Sequence, residues 1–122
     1  MLTILVSADL EADRCVLRIS DAEPVPLAKW ARVRPYADVK VGERVFTIGA
    51  PQGLELSLAE GLVSSKRTID AGRLIQTSAP ISSGSSGGGL FDTHGHLIGI
   101  TTFMLKNSQN LNFAIAAEEY AK

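Results

Sequence analysis

Ser86 lies within Ser82-Ser83-Gly84-Ser85-Ser86-Gly87-Gly88-Gly89-Leu90, the stretch of this chain best suited to chemistry. Glycines permit backbone angles closed to other residues. Consecutive N–H groups can then turn inward as an anion nest, with a serine hydroxyl presented beside them. The N–H groups of Gly84 and Ser86 would face the oxygen of a tetrahedral intermediate. Gly87 and Gly88 would let a substrate backbone come close. That layout suits nucleophilic acyl transfer. A Gly-rich turn or linker has the same composition.

The flanks argue against a linker. An apolar, β-prone run, residues 73–77, precedes the loop. Leu90-Phe91, a polar turn Asp92-Thr93-His94-Gly95 and a second apolar run, residues 96–100, follow it. Strand, tight loop and hairpin are the natural reading. Further back, residues 2–6 have β character and residues 9–13 form a polar break. Residues 15–19 read as a strand with Cys15, Leu17 and Ile19 on one face. Residues 20–42 contain Pro24, Pro26 and Pro35 and read as a connection, with one short strand around residues 27–33. Residues 44–48 form a strand closed by Gly49-Ala50-Pro51-Gln52-Gly53. Residues 54–58 alternate at period two, and residues 61–65 continue that strand after a kink. Asp70-Ala71-Gly72 is a hairpin turn. Residues 111–115 are the last strand, and residues 116–122 start a helix. About eight short strands with helix only at the end predict an all-β barrel or sandwich.

A chain of 122 residues suffices for one domain with one moderate core. Its net charge of −1 implies neither nucleic acid nor an anionic membrane as partner. No apolar run reaches membrane-spanning length, and Met1-Leu2-Thr3-Ile4-Leu5-Val6 lacks the basic flank of a signal peptide. The single cysteine, Cys15, reads as a small buried hydrophobe. His94, His96 and Asp92 are too few for a metal site without a fourth ligand. Asp13, just before a strand, could simply terminate a turn.

Four stretches together resemble the trypsin-like serine proteases, and within them the bacterial HtrA (Deg) branch. Asp9-Leu10-Glu11-Ala12-Asp13-Arg14-Cys15-Val16-Leu17-Arg18-Ile19 is similar to the segment around the triad aspartate, with Asp13 in its place. Val41-Gly42-Glu43-Arg44-Val45-Phe46-Thr47-Ile48-Gly49-Ala50-Pro51 resembles the strand that opens the second barrel. Residues 77–90 resemble the nucleophile loop. Leu97-Ile98-Gly99-Ile100-Thr101-Thr102 with Asn112-Phe113-Ala114-Ile115 resembles the substrate-binding strand and its successor. The likeness runs from about residue 9 to 120.

The resemblance implies a six-stranded antiparallel barrel over roughly residues 36–115, preceded by remnants of a partner barrel and a linker in residues 1–35. Residues 36–122 then hold the second barrel, the nucleophile loop and the start of a C-terminal helix. It implies peptide-bond hydrolysis through a serine acyl-enzyme. Ser86 is the nucleophile, Asp13 the orienting acid, and Gly84, Ser85 and Ser86 form the oxyanion hole. Pro80, Ile81, Thr101, Thr102 and Phe103 wall the substrate pocket. No acid stands among them, so a small or medium aliphatic residue is expected before the cleaved bond. No cofactor or metal is implied, and the partner is a polypeptide substrate. The compartment is open; the family branch suggests a bacterial, extracytoplasmic one.

The departures from the family carry expectations of their own. Its histidine precedes the aspartate in a Thr-x-x-His context, whereas the two histidines here are His94 and His96. Both follow the serine along a hairpin, where neither is expected to reach its hydroxyl. The chain is therefore expected to be a fragment lacking the general base and inactive alone. Ser85 replaces the usual Asn or Asp, and Ser78 a common Asp. A second possibility is a non-catalytic, protease-derived module that adds an extended peptide along residues 97–103. The apolar residues of the first two strands are expected to remain exposed and to favour self-association.

Overall fold

The computed structural model describes residues 3–11, 14–19, 30–49, 56–70, 72–81, 85–102 and 112–121. Eight strands form within them: β1 (Thr3–Asp9), β2 (Arg14–Ile19), β3 (Arg44–Gly49), β4 (Ser57–Ile69), β5 (Gly72–Thr77), β6 (Gly89–Phe91), β7 (Leu97–Thr102) and β8 (Asn112–Ala116). A 3₁₀ turn at Tyr36–Asp38 precedes β3, and a 3₁₀ helix at Ala117–Ala121 follows β8. The expected helix start is thus a tight 3₁₀ turn.

The strands β3-β4-β5-β8-β7-β6 close into an antiparallel barrel, and β1-β2 form a separate two-stranded sheet. Adjacent strand residues point to opposite faces. Ile75 and Ala114 accordingly join Val45, Val63, Leu90 and Ile98 in the barrel core, with Val39 closing one end. Leu74, Phe113 and Ile115 face the other way and are buried too, against Ile69 and Tyr120. The 3₁₀ helix carrying Tyr120 covers that outer face. Burying such an aliphatic side chain stabilises by about 1.5–3 kcal/mol, so β5 and β8 anchor the barrel from both sides.

Strand β4 is longer than the two pieces expected. It runs 13 residues without a break at Gly61, and its irregularity falls between Val63 and Ser65. Gly61 is needed for another reason. A Cβ there would stand 2.3 Å from the Ala79 nitrogen, so the segment leading to the serine loop crosses directly over it. The strand expected around residues 27–33 is absent from Trp30 to Val33, where one parallel bridge joins Val33 to Leu97. Residues 27–29 lie outside the described residues.

The β1-β2 sheet exposes neighbouring residues on both faces: Leu5 is 60% and Val6 56% exposed. Ile4, Val16 and Leu17 are also open, as expected of these strands. Cys15 is exposed, against the expectation of burial, because it stands on the two-stranded sheet and not in the barrel core. The sheet meets the barrel through Arg14, whose guanidinium stands 3.8 Å from buried Glu119. Glu119 also takes Arg73 Nε at 2.8 Å. Beside this contact an apolar cleft runs between Val16 and Leu17 on one side and Leu97, Ile100 and Tyr120 on the other.

Candidate active site

Ser85 to Gly88 form a turn closed by the Gly88 N–H on the Ser85 carbonyl at 3.2 Å. Gly87 holds its third position with φ 91, the left-handed conformation that a type II turn asks for and that glycine adopts without a Cβ penalty. Ser86 is thereby exposed at the corner. Its Oγ donates to the Thr101 carbonyl at 3.4 Å, a long bond that leaves the hydroxyl free to turn. Gly88 is required by crowding: a Cβ there would meet the Ile48 and Ser85 carbonyl oxygens at 3.0 and 3.2 Å. Gly49 similarly gives way to Ser85. Strand β3 thus supports the loop from beneath.

Thr101 binds the loop from the other side. Its N–H donates to the Gly88 carbonyl at 2.9 Å, and its carbonyl accepts the Gly87 N–H at 2.8 Å. Its hydroxyl donates to the Ser85 carbonyl at 2.7 Å and lies 3.2 Å from that of Gly88. Among the described residues, the Ser86 N–H has no acceptor. A free N–H beside a serine hydroxyl is what an oxyanion requires.

The two histidines sit at the other end of the β6-β7 hairpin. From Gly88 to Asp92 is about 13 Å of strand. There the Asp92 carboxylate accepts the His94 and His96 N–H groups at 2.8 and 2.9 Å. It also lies 3.3 Å from the His96 Nδ1 and 3.3 Å from Arg34 Nη1. Burial pushes the Asp92 carboxyl up, but the bonds from His96 and His94 and the charges of His96 and Arg34 outweigh it. The net shift is below the usual carboxylate value. Glu43 is likewise lowered, burial being outweighed by its bond and ion pair with Arg34 and its bond from the Lys40 N–H. This network fastens the connection before β3 onto the hairpin turn.

Ser85, Ser86 and Thr101 are thus brought together. Thr101 and Thr102 are both buried, on opposite faces of β7, whereas Pro80 is exposed. Ile81 shares a small cavity with Thr47, Gly49, Ala59, Ser85 and Thr101, and no charged side chain among the described residues lines it. Asp13, Gly84 and Phe103 lie outside the described residues. The roles of Arg34 and Glu43 were missed. Asp92 could have been suspected, since an Asp opening an Asp-x-x-Gly turn commonly binds the N–H two residues on. Among the described residues no group of three or more His, Cys, Asp or Glu could hold a metal ion. No helix among them is long and apolar enough to cross a membrane.

The closed barrel and its serine-bearing turn are those of a trypsin-like peptidase domain; the family model of that description matches residues 2–100, and the chain belongs to this family. Its relatives are of the HtrA type. Bovine (Bos taurus) mitochondrial serine protease HTRA2 is 35% identical over 94% of this chain and 26% of its own length. The serine protease Do-like HtrA of Bacillus subtilis (strain 168) is 35% identical over 94% of this chain and 28% of its own. The chain therefore spans little more than a quarter of these relatives. The solved HtrA-type protease AlgW with decapeptide superposes with a TM-score of 0.79 at 31% identity, covering 98% of this chain and 38% of that one. Deg5 gives 0.79 at 32% identity, covering 98% and 57%.

Proposed function

We propose that this domain serves a serine endopeptidase in which Ser86 attacks the peptide carbonyl. The Ser86 Oγ bonds to the carbonyl carbon, its proton passes to a base, and the leaving amine takes that proton as the acyl-enzyme forms. Water then repeats the sequence to release the acid. What supports the reading is one observation: an exposed serine at a glycine-shaped turn, with its own N–H unclaimed among the described residues. The N–H groups of Gly84 and Ser86 are assigned to the oxyanion, with Ser85 completing the loop between them, and Asp13 to orienting the base. The base itself is assigned to a histidine outside these 122 residues. Residues 1–35 then belong to a first barrel and linker, and residues 36–122 to the second. Among the described residues the pocket around Ile81 has no charge to hold a basic side chain, which supports small or medium aliphatic residues before the cleaved bond.

The test is peptide turnover by this chain alone and joined to an upstream segment bearing the Thr-x-x-His of an HtrA-type relative. The joined form should hydrolyse peptides, and Ser86→Ala should abolish it. Turnover that survives Ser86→Ala would reject the nucleophile assignment. Cleavage mainly after Arg or Lys would reject the pocket assignment.

A second reading, a peptide-binding module without chemistry, is favoured by the place of His94 and His96 on Asp92, far from Ser86. Its peptide could not pair along all of residues 97–103. Strand β7 is paired to β6 on one edge and β8 on the other, and Thr101 bonds to Gly87 and Gly88. An added strand would engage only beyond Thr101. Peptide binding unchanged by Ser86→Ala, without turnover in the joined form, would support this reading.

A further inference from the structure

Thr101 bonds to four consecutive loop residues, but only one of those bonds depends on its being threonine. The main-chain bonds to Gly87 and Gly88, and the Ser86 Oγ bond to the Thr101 carbonyl, could be made to any residue at this position. The side-chain hydroxyl has one proton, and the 2.7 Å contact to the Ser85 carbonyl takes it. That side chain is 3% exposed, so it is not offered to a substrate.

The Ser85 carbonyl and the Ser86 N–H belong to one peptide unit. A trans peptide is planar, and its C=O and N–H point in opposite directions. Drawing the Ser85 oxygen inward therefore aims the Ser86 N–H outward, to the side where no described residue accepts it. A flip of this unit would remove the donor from the oxyanion position and break the Thr101 bond. From this geometry we infer that Thr101 is a positioning residue: its hydroxyl fixes the Ser85–Ser86 peptide so that the Ser86 N–H serves as an oxyanion donor. This rests on Ser86 being the nucleophile. It gives Thr101 a task other than walling the substrate pocket.

The test compares Thr101→Val, which keeps the shape and loses the hydroxyl, with Thr101→Ser, which keeps the hydroxyl. Two quantities are read on the folded 122-residue protein: the Ser85 carbonyl ¹³C shift and the rate of Ser86 labelling by a fluorophosphonate. The Val variant should move the Ser85 shift and slow labelling about tenfold or more, since one oxyanion donor is worth roughly 10²–10³. The Ser variant should restore both. A Val variant less stable but unchanged in shift and labelling per folded molecule would overturn the inference, as would a Ser variant no better than Val. Should Ser86 label in none of the three even when joined to the upstream segment bearing the histidine, while the shift moves in Val and returns in Ser, Thr101 would be upheld as holding the peptide, and the nucleophile reading would fall instead.

Discussion

The Asp92 carboxylate accepts the main-chain N–H of His96 at 2.9 Å and stands 3.3 Å from the same residue's ring Nδ1. Backbone and ring are thus tied to one buried carboxylate, which also meets Arg34. Its folded pKa lies below the unfolded one, and that of Glu43 does too. The sign follows from linkage. Their contribution is complete above the usual carboxylate range, near pH 4, and is lost as pH falls through the folded values. Urea midpoints should therefore hold from neutral pH to about pH 5 and fall steeply below about pH 4. Asp92→Ala should cost about 2–4 kcal/mol at neutral pH, because two N–H groups and Arg34 lose a charged acceptor. It should also flatten the acid limb. An acid limb as steep in Asp92→Ala as in the parent would remove Asp92 from this account.

His94→Ala and His96→Ala should leave Ser86 labelling within about twofold of the parent, because Asp92 holds both residues at the turn of the β6-β7 hairpin, at the far end of β6 from the serine loop. A serine hydroxyl is a poor nucleophile until a base takes its proton. Losing the histidine of a comparable triad costs about 10⁶ in turnover, or roughly 8 kcal/mol. The 122-residue chain should accordingly show no measurable peptidase activity and label sluggishly. Robust hydrolysis lost on either histidine substitution would reveal a base at the turn.

The serine loop was legible because its glycines mark a turn and its flanks alternate as strands. The barrel strands were legible for the same reason: Val45 and Thr47, both buried, recur at period two. Cys15 was not, because its exposure depends on what covers β2 rather than on β2 itself. The outward burial of Leu74 beside inward Ile75 depends on the 3₁₀ helix more than forty residues on. Asp92 and Arg34 meet across 58 residues, a pairing that no local pattern announces. The direction of the Thr101 hydroxyl follows from how β7 lies against the loop, which spacing alone cannot supply.

Gly61→Ala should destabilise by about 1–3 kcal/mol, the usual cost of forcing a methyl into packed structure. The obstacle is backbone, with the Ala79 nitrogen at 2.3 Å and its Cα at 2.7 Å from the added carbon. Backbone cannot rotate away as a side-chain tip can, so β4 or the segment entering the serine loop must shift. Ser86 labelling should fall with it. Gly42→Ala, where the added carbon meets nothing within 4 Å, isolates the cost of a positive φ from crowding. Equal midpoints for the parent and Gly61→Ala would show that the crossing at Ala79 is looser than this packing implies.

The β1-β2 sheet should drive self-association. A two-stranded ribbon is marginal in water, and this one leaves Leu5, Val6 and Leu17 more than half exposed. Its two edges differ. Strand β2 carries Arg14 and Arg18, which repel a second β2, whereas β1 has no Lys, Arg or Pro along Thr3–Asp9 to discourage pairing. Two β1 edges meeting antiparallel about Val6 would make a four-stranded sheet and cover part of both faces. Light scattering should show mass rising with concentration, and Val6→Lys should hold the chain monomeric without loss of the barrel. A parent that stays monomeric at high concentration, with residues 3–19 protected from exchange, would mean that Arg14 and the cleft against Tyr120 suffice to hold the sheet on the barrel. A monomer with those residues unprotected would sink both the association and the docking.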